Sequence, residues 1–278
     1  MKLEIPKAIQ ETIGKLQVRF LPLQQFSVTT IFSAFIGLLC LLILLLIVFS
    51  IPRGSPLPDM TAFEAGAARK SAFIDFLTPI VESRNQEIQR DRERLLKLSV
   101  KLESGKNLSL TERSLVNALA DEYALQDPDS LTAKDKVRQL LLRVDQVPLV
   151  LVLVQAAKES GWGTSRFARQ GNNLFGQWCY TKGCGLVPSN RSQGAKHEVR
   201  VFDSVEAAIS AYLHNLNTGR AYRKLRDIRA ALHQSRKRPD AISLADGLLF
   251  YSQRRQAYVD EVKLMIHQLR KFQKSREK

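Results

Sequence analysis

Charged residues are absent from Phe20 to Ile51, and within that stretch Ile31 to Ile51 is a run of 21 residues whose aliphatic character is interrupted only by serines, small residues and Cys40. A helix of that length spans a bilayer. A cleaved leader would instead have an apolar core of about 7–15 residues followed by a small-x-small site, and neither is present. Cys40 follows Leu39, which does not suit a lipoprotein signal, so it reads as one more embedded apolar residue. Next, Ile51-Pro-Arg-Gly-Ser-Pro-Leu-Pro58 reads as an extended exit linker. From 62 to 104, Phe73, Phe76, Leu77, Ile80, Ile88, Leu95 and Leu96 recur at helical spacing. Ser109-Leu-Thr-Glu112 and Thr132-Ala-Lys-Asp135 carry capping patterns that open two further helices. The apolar run from Val147-Pro148 to Val154 has the β-branched residues of a strand, but a proline at the first turn and Gly161 as a stop predict a buried helix. Gln177 to Tyr180 and Glu198 to Phe202 read as the strands of a hairpin. Asp203–Asn217, Arg220–Gln234 and Gln253–Lys274 return to helical periodicity, with Ile209, Tyr212, Leu213 and Leu216 on one face. The expected class is α+β, mostly helical with a small β lobe.

Charge divides this picture further. The 278 residues, 45% apolar and 25% charged, have globular proportions, and the net charge is +15. Residues 52–145 hold 15 basic and 15 acidic side chains, whereas 146–278 hold 23 basic and 10 acidic ones, so the anion-seeking part is the C-terminal half. Both tryptophans are there too. Lys2, Lys7, Lys15 and Arg19 precede the apolar run while Arg53 stands alone just after it, which predicts the N-terminus inside and residues 52–278 outside. In a bacterium that outer space is oxidising, and Cys179 and Cys184, closing a short loop, then read as a disulfide rather than two buried thiols. With no C-x-x-C and no H-E-x-x-H, neither a metal site nor a cofactor is expected.

One residue suggests chemistry. Glu159 ends an otherwise apolar helix, where desolvation and the negative end of the helix dipole both disfavour the carboxylate. A glutamate kept protonated near neutrality is what glycosidic cleavage needs of a general acid. Trp162 offers a flat face for a sugar, and Gly161 and Gly163 leave room for a polymer. Position alone does not separate this from an ordinary solvated helix-end glutamate and a core tryptophan.

Gln155-Ala-Ala-Lys-Glu159-Ser-Gly-Trp-Gly163 followed by Asn173-Leu-Phe-Gly176 resembles the signature of glycoside hydrolase family 73, the bacterial endo-β-N-acetylglucosaminidases. Gly176-Gln-Trp-Cys179, Gly183-Cys-Gly-Leu-Val-Pro188, His197-Glu-Val and Tyr212–Asn217 sharpen the resemblance, which covers about 130–270. It implies a lysozyme-like fold with a cleft between a helical lobe and a β lobe, Glu159 as catalytic acid, Tyr251 orienting the sugar or reacting centre, and Tyr258 near the cleft or merely packing. Asn173 is read as a backbone clamp or sugar contact and Phe175 as more structural; with Trp162, Trp178 and Tyr258 they form the expected substrate-binding set. Several relatives place a second glutamate in the hairpin, but Val187–Lys196 holds no acidic residue, leaving Glu198, and after it Asp203, as the nearest candidates, Glu198 to activate water or steady the oxocarbenium-like state. An ordinary cross-strand or ion pair with Arg200 competes with that role, and without it the substrate's acetamido group would be the nucleophile.

The expected organisation is a cytoplasmic tail to residue 26, a transmembrane anchor at 27–51, a linker and helical spacer at 52–130 and a glucosaminidase domain at 131–278. The expected protein is an inner-membrane, single-pass enzyme with its catalytic domain in the periplasm, acting on peptidoglycan and not on nucleic acid. Rival readings are a lytic transglycosylase, an amidase and a non-catalytic wall-binding scaffold.

Overall fold

The computed structural model describes residues 28–50, 54–189, 191 and 194–276. The expected cytoplasmic tail and the first linker residues, 51–53, lie outside the described residues. The chain divides into two units, Met1–Pro52 and Arg53–Lys278. In the first, helix α1 (Val28–Ser50) is 23 residues long and carries no charged residue. Its described side chains run from Phe32 to Leu44 without Ala34, and all are exposed. Counted on described residues alone, no helix is long and apolar enough to cross a membrane.

The second unit is mostly helical with a small antiparallel sheet. Helix α2 (Ala67–Glu103) is 37 residues long and buries Phe73, Ile74, Leu77, Val81, Ile88, Leu95 and Leu98. That stripe differs from the expected one: Leu96 is exposed, because the buried face continues through Leu95 and Leu98. The region read as a spacer is packed into the same unit as the rest. Ser109 opens α3 (Leu110–Glu122) with a reciprocal capping box to Glu112, and Thr132 caps α4 (Ala133–Arg143) through the Asp135 amide. The apolar run becomes α5 (Leu149–Ser160), entered at Pro148 and closed by Gly161 in the left-handed region at φ 59°. Helix α6 (Arg166–Gly171) follows. Beyond it are strands β1 (Trp178–Cys179), β2 (Gly185–Leu186) and β3 (Glu198–Arg200). The sheet order is β1-β3-β2, with Cys179 opposite Glu198 and Gly185 opposite Arg200. The expected hairpin is therefore three-stranded: β2 lies in the stretch read as loop, too short at two residues to display alternation. Helices α7 (Val205–Thr218), α8 (Arg223–Gln234), α9 (Ala241–Ala245) and α10 (Gln256–Arg276) complete the unit.

From Ser55 on, the exit segment is held against the rest of its unit. Ser55 donates its amide to Glu206 at 2.8 Å and accepts the Val205 amide at 3.0 Å, while the Leu57 amide reaches Asn172 Oδ1 at 2.9 Å. Met60 is fully buried. Gly163, at φ 81°, accepts this packing because a Cβ there would lie 2.7 Å from Met60 Cγ and 3.2 Å from Phe73. The space expected to admit a polymer at Gly163 is thus filled by the chain's own side chains.

A buried ionic turn joins α2, α4, α7 and α8. Arg229, 1% exposed, donates to the carbonyls of Leu142, Arg143, Asp145 and Gln146 and to Asn217 Oδ1, and it pairs with Asp145 at 3.3 Å. Arg92 lies 3.4 Å from the same carboxylate, and His233 Nε2 meets it at 2.7 Å. Burial pulls the Arg229 guanidinium down to about 10, still charged at neutral pH. Removing one partner of such a cluster strands the others in a low dielectric, at a cost of about 3–5 kcal/mol. Asp145→Ala is accordingly expected to lower unfolding stability by about that amount in urea titration, with the slope of the transition unchanged.

Candidate active site

Helix α5 is apolar from Leu149 to Val154 because it runs through the core, and Gln155 is the first polar side chain on it, wholly buried. Glu159 lies one turn further, half-buried, where the helix closes. A chain of hydrogen bonds connects the two. Tyr212, on α7, donates to Gln155 Oε1; Gln155 Nε2 donates to the Tyr258 hydroxyl at 3.0 Å; Tyr258, on α10, donates to Glu159 Oε1 at 2.8 Å. Among the described residues nothing bonds Glu159 Oε2, nor is it sealed away from solvent.

Burial raises the Glu159 carboxyl above the ordinary range for a glutamate, against weaker opposing pulls from the Tyr258 hydroxyl and the Lys158 ammonium. Apart from Lys158, the groups acting on it are aromatic. Tyr212, Tyr222, Tyr251 and Tyr258 all feel the Glu159 charge, and burial lifts each phenol above its usual range, Tyr222 to about 12. Tyr251 and Tyr258 stack at 5.2 Å, and Phe175 and Tyr212 at 3.8 Å.

Tyr258 bonds the acid, whereas the Tyr251 hydroxyl is 3.0 Å from the Phe175 carbonyl, to which it donates, and so ties the Asn-Leu-Phe-Gly loop behind the site. Asn173, 2% exposed, is a clamp for that loop: its amide donates to the carbonyls of Gln177 and Arg200, and its oxygen accepts the Phe175 and Gln177 amides. No donor or acceptor is left for a sugar. Phe175 is buried under Tyr212. Trp162 leans edge-on against Phe73 at 5.7 Å with Lys70 over its ring, so it faces α2.

The hairpin is tied by Cys179–Cys184, which are bonded as a disulfide. Glu198 is buried beside it and accepts the Gly183 amide at 3.0 Å and the Gly185 amide at 2.8 Å, bonds that hold its carboxyl below the usual range. The ion pair expected with Arg200 is not formed; Arg200 is exposed and lies over the Phe202 ring. Trp178, 55% exposed, stacks on His197 at 4.1 Å, and with the exposed Tyr180 it gives the β lobe an open aromatic surface. Gln155 and Tyr212 had not been singled out as site residues; the signal for Gln155 was a lone amide between an apolar run and Glu159.

Comparison with known proteins identifies the family of the chain. Residues 135–271 match the Glucosaminidase family, described as mannosyl-glycoprotein endo-beta-N-acetylglucosaminidase. The chain is 35% identical over 206 residues to Protein bax of Escherichia coli (strain K12), covering 74% of this chain and 72% of that protein. No solved structure matches.

Because the folded-state pKa of Glu159 is raised, its protonated form favours folding below the unfolded-state value, and that contribution is lost as pH rises through the folded-state value. Glu159→Gln remains neutral and still accepts from Tyr258. Calorimetry is expected to show the variant melting with the parent near pH 4 and above it near pH 8.

Proposed function

The chain belongs to the glucosaminidase family, with a Bax-like relative across most of its length, and from that premise we propose that it is a peptidoglycan hydrolase cutting the glycan strand after N-acetylglucosamine. The observation that carries this reading is the Glu159 carboxyl, half-buried and held by a phenol instead of a cation. With Oε1 accepting from Tyr258, the acid proton resides on Oε2, the oxygen left open to solvent. Oε2 delivers that proton to the glycosidic oxygen as the bond to the anomeric carbon breaks, and the resulting carboxylate then removes a proton from the incoming water. Both oxygens of Glu198 already accept backbone amides, which favours the substrate's acetamido group as the nucleophile. Trp178 and His197 supply the exposed stacked surface on which a sugar face can rest.

The fold and location follow the same reading. A lysozyme-like arrangement places the acid on the helical side and the Trp178 hairpin opposite. The uncharged α1 is the membrane anchor, and the enzyme works outside the inner membrane on the wall. The disulfide supports an oxidising location. The basic surplus of residues 146–278 attracts the free carboxylates of peptide stems, an attraction that weakens as salt rises.

Digestion of purified sacculi tests the proposal. Glu159→Gln is expected to lose about 10²–10⁴-fold in rate, the usual contribution of a positioned acid, while Glu198→Gln retains most of its activity. Mass analysis should find reducing N-acetylglucosamine ends; anhydro ends would instead identify a transglycosylase. Equal digestion by parent and Glu159→Gln would remove the assignment.

A further inference from the structure

A second charged group neighbours the acid and takes no part in the steps above. Lys158 immediately precedes Glu159 on α5, and its ammonium lies 5.5 Å from the centre of the Tyr258 ring, the same tyrosine that bonds Glu159. Were it unheld, the flexible lysine stem could swing the ammonium nearer the carboxyl. It does not, because Glu261 holds it. Glu261 stands one turn beyond Tyr258 on α10, and its carboxylate receives both Lys158 Nζ and the two-pronged guanidinium of Arg254. Resting on the reading of Glu159 as the general acid, we propose that Glu261 is a positioning residue for the reaction: by gathering Lys158 onto its own carboxylate, it keeps that positive charge off the catalytic group.

The groups around Glu159 single out this pair. It is faced by Tyr258 from α10, Tyr212 from α7, Tyr222 from the turn between α7 and α8 and Tyr251 from the segment before α10, all neutral in the working range. From its own helix it is faced by Lys158, whose charge favours the ionised acid and works against burial. Lys158 is therefore the charged group among the described residues that acts on Glu159, and Glu261 governs where its ammonium sits. The Glu261 carboxyl, drawn down to about 2 by Arg254 and then Lys158, stays ionised throughout the range in which a cell-wall enzyme works. The clamp is thus always closed, and it sets the basal state of the acid.

The experiment is a pH–rate profile of the full chain on sacculi, paired with a carbon-13 carboxyl titration of Glu159 in the resting protein. Glu261→Gln releases Lys158, and both the basic limb of the profile and the Glu159 titration are expected to move down by about one pH unit. Above the limb, that is about a tenfold loss of rate. Lys158→Met moves both upward, and Glu261→Gln with Lys158→Met returns them at least to the parental position. A Glu261→Gln titration that stays in place, or a double variant that keeps the downward shift, overturns the proposal even if activity falls. Should Glu261→Gln fail to fold, Glu261→Ala takes its place, and a Glu159 titration that stays in place in that variant overturns the proposal as well. The reading of Glu159 as the acid fails by a different result, undiminished digestion by Glu159→Gln.

Discussion

Burial lifts a carboxyl group at the closing turn of an apolar helix above the ordinary glutamate range, and a hydrogen-bonding partner that brought positive charge would pull it back down. The helix end favours the neutral form as well. The Tyr258 hydroxyl brings no such charge, and the structure fixes its direction through an amide. A phenol has one hydrogen; because Gln155 Nε2 donates to the Tyr258 oxygen, that hydrogen goes to Glu159. Gln155 is held in that orientation by Tyr212, which donates to the other end of the amide. The surroundings of one carboxyl thus depend on three buried side chains from α5, α7 and α10, and so on the packing of those helices.

Most helices were legible because their signals are local. The two capping patterns, the proline before α5 and the glycine after it stand at the observed boundaries. What escaped was not local: β2, at two residues, exists only because β3 is there to pair with it, and α6 and α9 are too short for a periodic pattern. The site divides along the same line. Glu159 could be found by its position in an apolar helix and Tyr258 by family resemblance, but which tyrosine bonds the acid depends on how α10 lies against α5. Glu198 is non-local in the same way, since its carboxyl accepts two backbone amides that no pattern in the chain reveals.

Charge counting from sequence also needs revision by the fold. Among the cations of the C-terminal half, Arg229 is spent on buried carbonyls and Asp145, Arg226 on the carbonyls of Leu216 and Gly219, and Arg254 with Lys158 on Glu261. These groups organise turns and the site instead of contributing freely to an outward field. The attraction for an anionic polymer therefore falls to exposed residues such as Arg200, Arg220 and the Arg236–Arg238 run.

Met60 beneath Gly163 bears on how the molecule can be divided. The stretch that carries the family signature begins at 135, yet the floor under its glycine turn is supplied by residues far upstream: Met60, Leu57 and Phe73. The signature is thus not a self-sufficient module. A chimera that transplanted it alone onto another carrier would leave an apolar trench open beside the acid, and the recipient would have to bring its own plug.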